Sequence, residues 1–403
     1  CEGKLDITFI DLGIMPLSNS YLTRANLNKV EKSYPLRVKV CETCWLVQTE
    51  KFVEAEQIFS RDYIYFSSFS TSWLDHVRRY VDQIIPMLFL NSSSTVVEIG
   101  TNDGCLLQYL HKKNIPCYGI EPADSAIAMA RAKGLDIVKG YFDVEKAEQL
   151  IVKKGQADLI IANNVLAHVP DINSFVYGIS MLLKPNGLAT FEFPHILNLV
   201  KFNQFDTIYH EHYSYLSFSA IRNIFRSNNL TVFKIEELPT HGGSLRVYAQ
   251  KTDRGKHPLD DSVEAIFKKE IDAGIMTTSF YNGFQHKANV IKADLNSFLQ
   301  NAKKEGKKII GYGAAAKGNT LLNFSGINRN FISYVIDRNP AKQNKFLPGS
   351  KIPILSEDQL RPDQPDYVVI LPWNLKKEII KQLSYIRDWN GKFITLVPKL
   401  KVE

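Results

Sequence analysis

The stretch YHEHYSYLS, residues 209–217, places three tyrosines, two histidines and one glutamate in nine positions. Each of these side chains donates, accepts or holds protons, and each needs a hydrogen-bond partner wherever it is buried. A core helix or strand tolerates such a composition poorly. The stretch is therefore either a hydrated surface turn or part of a reaction site, and the rest of the chain must decide between them.

A second stretch whose residues could bind a ligand is VVEIGTNDG, residues 96–104, which predicts a buried strand running into a glycine turn. Gly100 and Gly104 allow the backbone to approach a ligand closely, and Glu98 can hold a ligand ammonium group. The next predicted strand, CYGIEP, ends at Glu121, where a carboxylate can accept both hydroxyls of a ribose. The turn lacks the three-glycine spacing of a dinucleotide-binding loop.

A later predicted strand, ADLIIANNV, ends at Asn163 and Asn164, and the carboxyl edge of a parallel sheet is where ligands bind. Phe142 in GYFD either covers an adenine ring or packs in the core. Together these motifs resemble the class I S-adenosylmethionine-dependent methyltransferases, which implies this methyl donor and the product S-adenosylhomocysteine. The expected cofactor residues are Glu98, Gly100, Asn102, Gly104, Glu121, Phe142, Asn163 and Asn164. The alternative is an unrelated strand, turn and helix with a chance pair of glycines.

The cysteine spacing predicts a metal site. CETC contains Cys41 and Cys44 at a predicted hairpin turn, and thiolates two residues apart hold one tetrahedral zinc ion in zinc knuckles. Cys1 is expected to be a third ligand, and the fourth is expected upstream of it. Such a zinc ion would fold a small module rather than take part in catalysis. The alternative is three unrelated buried thiols, as is expected for Cys105 and Cys117.

The hydrophobic pattern predicts an α/β protein in three parts. Short strands and turns fill residues 1–75, including LRVKV as the arm that leads into CETC, and a helix is expected from Ser72 to Leu88. Strands alternate with helices from Thr95 to about residue 250, which predicts a doubly wound, mostly parallel sheet. It ends with LTVFKIEELP and GGSLRVYAQ as antiparallel edge strands. After a helical connector, KKIIGYGAAAKGN opens a second, smaller Rossmann-like sheet.

The expected domains are therefore a zinc-binding module (1–75), a methyltransferase core with connector helices (76–295) and a Rossmann-like domain (296–403). A chain of 403 residues is too long for one core. Its net charge of +7, from 49 basic and 42 acidic residues, is spread evenly, which favours small anionic ligands over nucleic acid. No apolar run long enough for a membrane span and no signal peptide are visible, so we expect a cytoplasmic protein without membrane contact, monomeric or weakly dimeric.

The order of these parts, with YHEHYSYLS, HGGSLRVYA and GYGAAAKGNTLLN, resembles the nucleotide-sugar C-methyltransferases of the tetronitrose and mycarose pathways. The resemblance covers essentially the whole chain. It implies that a nucleotide-diphosphate sugar lies between the middle and last domains and receives a methyl group at C-3, beside a 4-keto group. Carried over by motif, the catalytic candidates are Tyr63 in DYIYFSS, His168 in NVLAHVPD, and Tyr209, Glu211 and His212 in YHEHYS.

Methylation of carbon requires that a ketone acidify the neighbouring C–H and that the enolate oxygen be stabilised as charge develops. We expect His212 to remove the C-3 proton, because imidazole titrates near neutral pH. Glu211 would orient the imidazole or hold the substrate, and Tyr209 and Tyr63 would hydrogen-bond the enolate. His168 is expected beside both cofactor and substrate. The alternative roles are packing of Tyr63 against the zinc module and capping of a loop by His168.

Two glycine turns are the expected substrate contacts. HGGSLRV lets the backbone approach a sugar, or is a turn entering a strand, and the helix start after GYGAAAKGN can bind a diphosphate. His210 and Tyr213 are interpreted as structural neighbours of the site, since alternate residues face away from it. The expected substrate residues are His241, Gly242, Gly243, Lys317, Asn319 and Asp337.

Three other functions compete with this interpretation. The glycine loop and Asp337 also fit an NAD-linked sugar-nucleotide oxidoreductase, although no hydride-transfer residues are evident. A zinc-bearing nucleic-acid methyltransferase would need a basic groove with interleaved aromatic residues, which the evenly mixed charges do not provide. A protein that only binds the methyl donor would never methylate a sugar nucleotide.

Overall fold

The computed structural model describes residues 1–58 and 64–403. Within these residues the strands are β1 (Ile7–Pro16), β2 (Ser33–Val40), β3 (Val47–Thr49), β4 (Val96–Ile99), β5 (Cys117–Glu121), β6 (Ile137–Lys139), β7 (Ala157–Asn163), β8 (Leu183–Pro194), β9 (Ser214–Tyr215), β10 (Leu230–Leu238), β11 (Ser244–Lys251), β12 (Ile309–Tyr312), β13 (Val335–Ile336), β14 (Ile354–Leu355), β15 (Tyr367–Ile370), β16 (Lys392–Thr395) and β17 (Lys401–Val402).

The α-helices of the same described residues lie between and around these strands. They are α1 (Ala55–Ile58), α2 (Thr71–Met87), α3 (Leu107–Lys112), α4 (Asp124–Ala132), α5 (Val144–Lys154), α6 (Ile172–Leu182), α7 (Ile196–Lys201), α8 (Phe218–Ser227), α9 (Asp261–Asp272), α10 (Thr278–Tyr281), α11 (Phe284–Lys304), α12 (Ala316–Ser325), α13 (Leu360–Asp363) and α14 (Lys376–Gln382). None of them combines the length and apolar character that a membrane span needs.

The central sheet has seven strands in the order β10-β11-β8-β7-β4-β5-β6. Strands β4 to β8 are parallel, so their carboxyl ends meet at one edge of the sheet. The order of the strands reverses between β4 and β7, which is where ligands bind in such sheets. Apolar side chains fill both faces of the sheet. The predicted doubly wound sheet is therefore confirmed. One detail differs: of the two strands predicted at the edge, β10 is the edge strand, whereas β11 lies inside the sheet, antiparallel to both β8 and β10.

The C-terminal sheet has the order β14-β13-β12-β15-β16-β17, parallel except for β17, which confirms the predicted Rossmann-like sheet. It follows α9, α10 and α11, the predicted helical connector. Helix α11 continues through residue 295 to Lys304, so the expected boundary at 295/296 lies inside a helix. The division into three domains stays a prediction.

The N-terminal sheet is antiparallel, in the order β1-β2-β3-β9. Strand β2 leads into the CETC turn as predicted, and the expected helix over residues 72–88 is α2, which buries Val77, Tyr80, Val81 and Ile84. The last strand, β9, belongs to YHEHYSYLS and pairs with β3 through Val47–Tyr215 and Gln48–Ser214. The reactive stretch is therefore part of the N-terminal sheet rather than a free surface turn.

A buried carboxylate in the connector fixes the end of this stretch. Glu270 of α9 is fully buried and accepts hydrogen bonds from the amides of Phe218 (2.6 Å) and Ser219 (2.7 Å). It also contacts His195 Nε2 at 2.6 Å, and the amide of His195 donates to the carbonyl of Gly243. One side chain thus joins α8, the end of β8 and the HGG turn.

Replacing Glu270 by Ala leaves several buried donors without a partner, each costing about 1–3 kcal/mol. We expect Glu270→Ala to lower the free energy of unfolding by about 3 kcal/mol or more, measured by urea denaturation. Glu264→Ala, an exposed change in the same helix, serves as control and should stay within about 0.5 kcal/mol of the parent. Equal stability of the two variants would contradict the role given to Glu270.

Candidate active site and metal site

The glycine turn after β4 adopts the conformation that the sequence predicts. Gly100 and Gly104 have positive φ angles of 68° and 75°, and Asn102 between them has φ 52°. The left-handed conformation of Asn102 is stabilised by its side chain, whose Nδ2 donates to the carbonyl of Tyr65 (2.9 Å) and whose Oδ1 accepts from the amide of Ser67 (2.9 Å). The turn is thereby joined to the segment before α2.

Two buried carboxylates flank this turn. Glu121 at the end of β5 accepts hydrogen bonds from the amides of Asn102 (2.9 Å) and Ala123 (3.0 Å), so its side chain has a fixed orientation. Burial raises the pKa of Glu121, and burial raises the pKa of Glu98 well above its usual value. A ligand that brings hydrogen-bond donors or positive charge would stabilise both carboxylates.

S-adenosylmethionine fits this edge of the sheet. Among the described residues, the buried Glu98 Oε2 and the side-chain amide atoms of Asn163 and Asn164 have no hydrogen-bond partner. Buried polar atoms of this kind are rare unless a ligand satisfies them, and the cofactor carries an ammonium group, a carboxylate, ribose hydroxyls and an adenine amine. Phe142 packs edge-on against Phe175 (ring centroids 5.5 Å apart), and its contact with adenine stays a prediction.

The three predicted metal ligands come together. The sulfur atoms of Cys1, Cys41 and Cys44 lie within 4.8 Å of one another, and those of Cys1 and Cys41 are 3.5 Å apart. A tetrahedral zinc ion with Zn–S bonds of about 2.3 Å places its sulfurs about 3.8 Å apart, so the three thiols fit such an ion. Burial alone would raise the pKa of Cys41, but amide groups of Cys44 and Thr43 outweigh it and lower the pKa, which favours the thiolate.

The imidazole of His212 has a defined tautomer. Its Nδ1 lies 2.8 Å from the carbonyl oxygen of Thr207, which can only accept, so Nδ1 carries the hydrogen and Nε2 carries the lone pair. Burial and the neighbouring His168 hold the pKa of His212 well below its usual value of about 6.5. At neutral pH the side chain is therefore a neutral imidazole that can accept a proton at Nε2.

Two of the other expected catalytic side chains, Tyr209 and His168, lie beside His212. The ring centroids of Tyr209 and His168 lie 4.0 Å and 4.7 Å from the ring centroid of His212. His168 Nδ1 donates to the carbonyl of Glu211 (2.9 Å), and burial lowers the pKa of His168 to about 4. Burial raises the pKa of Tyr209 well above its usual value, so its hydroxyl stays protonated and can donate. The structure thus brings Tyr209, His168 and His212 together.

Glu211 forms hydrogen bonds through two different groups, its backbone carbonyl and its carboxylate. Its carbonyl orients His168, whereas its carboxylate accepts a hydrogen bond of 2.5 Å from Asn19 of the N-terminal module. The carboxylate therefore lies toward Asn19, and a contact between it and the His212 imidazole or the substrate stays a prediction. The neighbours His210 and Tyr213 are buried and bond to backbone carbonyls of the N-terminal module, which confirms their structural role. Tyr63 lies outside the described residues.

The HGG turn packs against the C-terminal domain. His241 has φ 52°, and a Cβ atom on Gly242 would lie 2.5 Å from the ring of Trp373, so only glycine allows this approach. Lys317 Nζ lies 4.6 Å from the centroid of the Trp373 ring and donates to Asn374 (2.8 Å). The turn and Lys317 therefore meet at Trp373, and their contact with a substrate stays a prediction.

The side chains of Asn319 and Asp337, two of the expected substrate residues, form hydrogen bonds with backbone groups of the protein. The Asn319 amide donates to the carbonyl of Ser18 (2.6 Å). Asp337 accepts from the amide of Ala314 (2.8 Å) through one carboxylate oxygen and from that of Asn339 (2.8 Å) through the other. Asp337 thus stabilises the glycine loop, as Glu121 stabilises the turn after β4. A substrate contact of either residue stays a prediction.

Sequence reasoning missed two buried polar groups near the site. Glu192, fully buried at the end of β8, contacts His76 (2.8 Å), Arg246 (3.0 Å) and the hydroxyl of Thr240 (2.7 Å), next to His241. An acidic residue inside the apolar run TFEFP was the available signal.

The second missed group joins the segment just before the reactive stretch to the C-terminal domain. Asp206 accepts a hydrogen bond from the indole N–H of Trp373 (2.7 Å), and burial raises the pKa of Asp206 to about 6. No local sequence signal indicates this pair, because the two residues are far apart in the chain.

The cofactor site leads to a binding prediction. Replacing Glu121 by Gln removes a charged acceptor of the kind whose hydrogen bonds contribute about 1.5–3 kcal/mol each. We expect the Kd for S-adenosylmethionine to rise about 10- to 100-fold, measured by calorimetry. Glu148→Gln, on the exposed side of α5, should leave the Kd unchanged. An unchanged Kd in Glu121→Gln would exclude Glu121 from the cofactor site.

The metal site leads to a second prediction. A serine hydroxyl is a far weaker zinc ligand than a thiolate, so Cys41→Ser should lose bound zinc and lower the Tm. Elemental analysis and thermal denaturation of the purified protein test both outcomes. Cys117→Ser, which lies outside the cluster, should keep its zinc. A parent protein that binds no zinc would refute the metal assignment.

Known proteins match the whole chain. Family models match in three consecutive stretches: a zinc binding domain over 1–59, a methyltransferase domain over 73–235 and a C-methyltransferase C-terminal domain over 239–398. The C-methyltransferase NovU of Streptomyces niveus is 32% identical over 401 residues, which covers 100% of this chain and 94% of NovU.

Other matches are partial. The ubiquinone biosynthesis O-methyltransferase of Bordetella avium is 32% identical over 98 residues, 24% of this chain and 41% of that protein. The structure of magnesium protoporphyrin IX methyltransferase from Synechocystis PCC 6803 with bound SAM aligns at a TM-score of 0.36 and 16% identity, covering 50% of this chain and 100% of that one. The three family models match in the order that the sequence predicts for the three parts of the chain. Together with the full-length match to NovU, they make this chain a member of the S-adenosylmethionine-dependent C-methyltransferase family.

Proposed function

We propose that this enzyme methylates C-3 of a nucleotide-linked 4-keto deoxysugar through base-assisted formation of an enolate. The single observation that carries the proposal is the neutral His212 imidazole, whose Nε2 lone pair is set by the bond from Nδ1–H to Thr207. A hydrogen on a carbon next to a ketone is acidic enough for such a base, whereas an unactivated carbon is not. The base therefore matches a 4-keto substrate.

The groups around His212 match the charge that develops. When the C-3 proton moves to His212 Nε2, electrons move to the C-4 oxygen, and a protonated donor is required there. Tyr209 is such a donor, because its ring lies 4.0 Å from the His212 ring and burial raises its pKa well above the usual value. The ring of His168, whose centroid lies 4.7 Å from that of His212, packs against the same imidazole. Tyr63 is proposed as a second donor by family resemblance alone.

The nucleophilic carbon needs a methyl group in line with it. S-adenosylmethionine supplies this methyl on a positively charged sulfonium, and Glu98, Glu121, Asn163 and Asn164 are the residues we propose to hold it. They lie at the carboxyl edge of β4, β5 and β7. His168 follows β7 by a few residues, so the same edge presents both the cofactor residues and the base cluster.

The diphosphate of the substrate is proposed to bind at the start of α12. Lys317 in the first turn of this helix adds positive charge to that of the helix terminus. The turn His241-Gly242-Gly243 lies near Lys317, because both contact Trp373. Asp337 and Asn319 would then act mainly by holding the glycine loop against the N-terminal module.

Exchange of hydrogen in heavy water tests the first step without the methyl donor. Incubated with a 4-keto sugar nucleotide, the enzyme should introduce solvent deuterium at C-3, and His212→Ala should lower the rate by at least about 100-fold, the lower end of typical general-base contributions. Adding S-adenosylmethionine should then raise the product mass by one methyl group. Mass spectrometry and NMR follow both outcomes.

Matched variants make this experiment specific. His286→Ala removes an exposed histidine of α11 and should exchange like the parent. Tyr209→Phe should slow exchange but keep binding of the methyl donor. Full exchange in His212→Ala would exclude His212 as the base, and absence of exchange and methylation with every 4-keto sugar nucleotide would refute the proposed substrate class.

A further inference from the structure

Thr49, the last residue of β3, hydrogen-bonds the backbone of the reactive stretch. Its side-chain hydroxyl donates to the carbonyl oxygen of His212 (2.6 Å), and its amide donates to the carbonyl oxygen of Tyr213 (3.0 Å). The threonine is buried, so these bonds are protected from competing water. Two consecutive peptide units of YHEHYSYLS are thereby fixed to the N-terminal sheet.

The position of Thr49 follows from the cysteine turn and the pairing of β3 with β2. The amide of Trp45 donates to the carbonyl of Cys41 (2.8 Å), and the amide of Cys41 donates to the carbonyl of Leu46 (3.1 Å). These bonds close the turn directly before β3 starts at Val47. Strand β3 directly follows that turn, and Thr49 pairs with Val38 of β2, so the turn and the pairing with β2 together set the position of Thr49.

The hydroxyl of Thr49 and the carbonyl of Thr207 hold His212 at two different points. Thr207 fixes the ring through Nδ1, whereas Thr49 fixes the peptide unit from which the side chain extends. The amide of Tyr213 is held in addition by the carbonyl of Ala167, in the loop that carries His168. With both ends of the residue fixed, Nε2 has one position relative to the sheet edge.

We propose that Thr49 is a positioning residue for His212, through which the N-terminal sheet controls the rate of proton abstraction. This inference rests on the proposed function of His212 as the base. The hydroxyl of Thr49 acts through the backbone of His212, so its loss should change the chemical step and leave binding of the methyl donor intact. Displacement of a reacting group by about 1 Å costs on the order of 100-fold in rate.

The test compares Thr49→Val, which keeps the shape and removes the hydroxyl, with Thr49→Ser, which keeps the hydroxyl. Thr231→Val is the matched control, because it removes a threonine hydroxyl bond of a strand distant from the reactive stretch. We expect deuterium exchange at C-3 to fall about 10- to 100-fold in Thr49→Val and to recover within about threefold in Thr49→Ser. The Kd for S-adenosylmethionine should be unchanged in all three variants.

A second readout does not need the substrate. In ¹⁵N-histidine spectra the His212 signals, assigned by their loss in His212→Ala, report the Nδ1–H tautomer, and these shifts should move in Thr49→Val, return in Thr49→Ser and stay in Thr231→Val. Unmoved His212 shifts in folded Thr49→Val, or parent-like exchange, would overturn the inference. If the parent itself exchanges no deuterium, the proposed function fails, and the histidine spectra still decide whether Thr49 positions His212.

Discussion

The hydrogen bond from His212 Nδ1–H to the carbonyl of Thr207 is the interaction on which the proposed chemistry of this protein depends. A carbonyl oxygen accepts and never donates, so the bond fixes one tautomer and assigns the lone pair to Nε2. Rotation of the ring would break this bond inside a largely buried site, where a lost partner is costly. The side chain is therefore a base with one reactive atom in one orientation.

The reactive stretch can be buried because three parts of the chain supply partners for its polar groups. The N-terminal module provides Thr49 and Asn19, and the methyltransferase sheet provides His168. The C-terminal domain provides the hydroxyl of Thr320, which donates to the carbonyl of Ile208 (2.8 Å). These partners come from the N-terminal, central and C-terminal parts of the chain, so the stretch has its observed conformation only where the three parts meet.

Burial also sets the charge states of the histidines and of Tyr209, and the physical cause is the same for both. Removal from water disfavours the charged form, which lowers the pKa of His168, His212 and His241 and raises the pKa of Tyr209. At neutral pH the site thus combines neutral imidazoles with a protonated phenol. This is the combination that removal of a proton from carbon requires, with a base on one side and a hydrogen-bond donor for the resulting oxyanion on the other.

The sequence by itself determined the features that depend on local spacing. Glu98, Glu121 and Asn163 were predicted to meet because parallel strands place their carboxyl ends at one edge, and CETC was predicted at the end of a hairpin arm. Only the tertiary structure decided that β9 pairs with β3 and that Asp206 bonds Trp373. Hydrophobic periodicity reports which face of an element is buried, but not which distant element covers it. Contacts between residues more than a hundred positions apart arise when the whole chain packs.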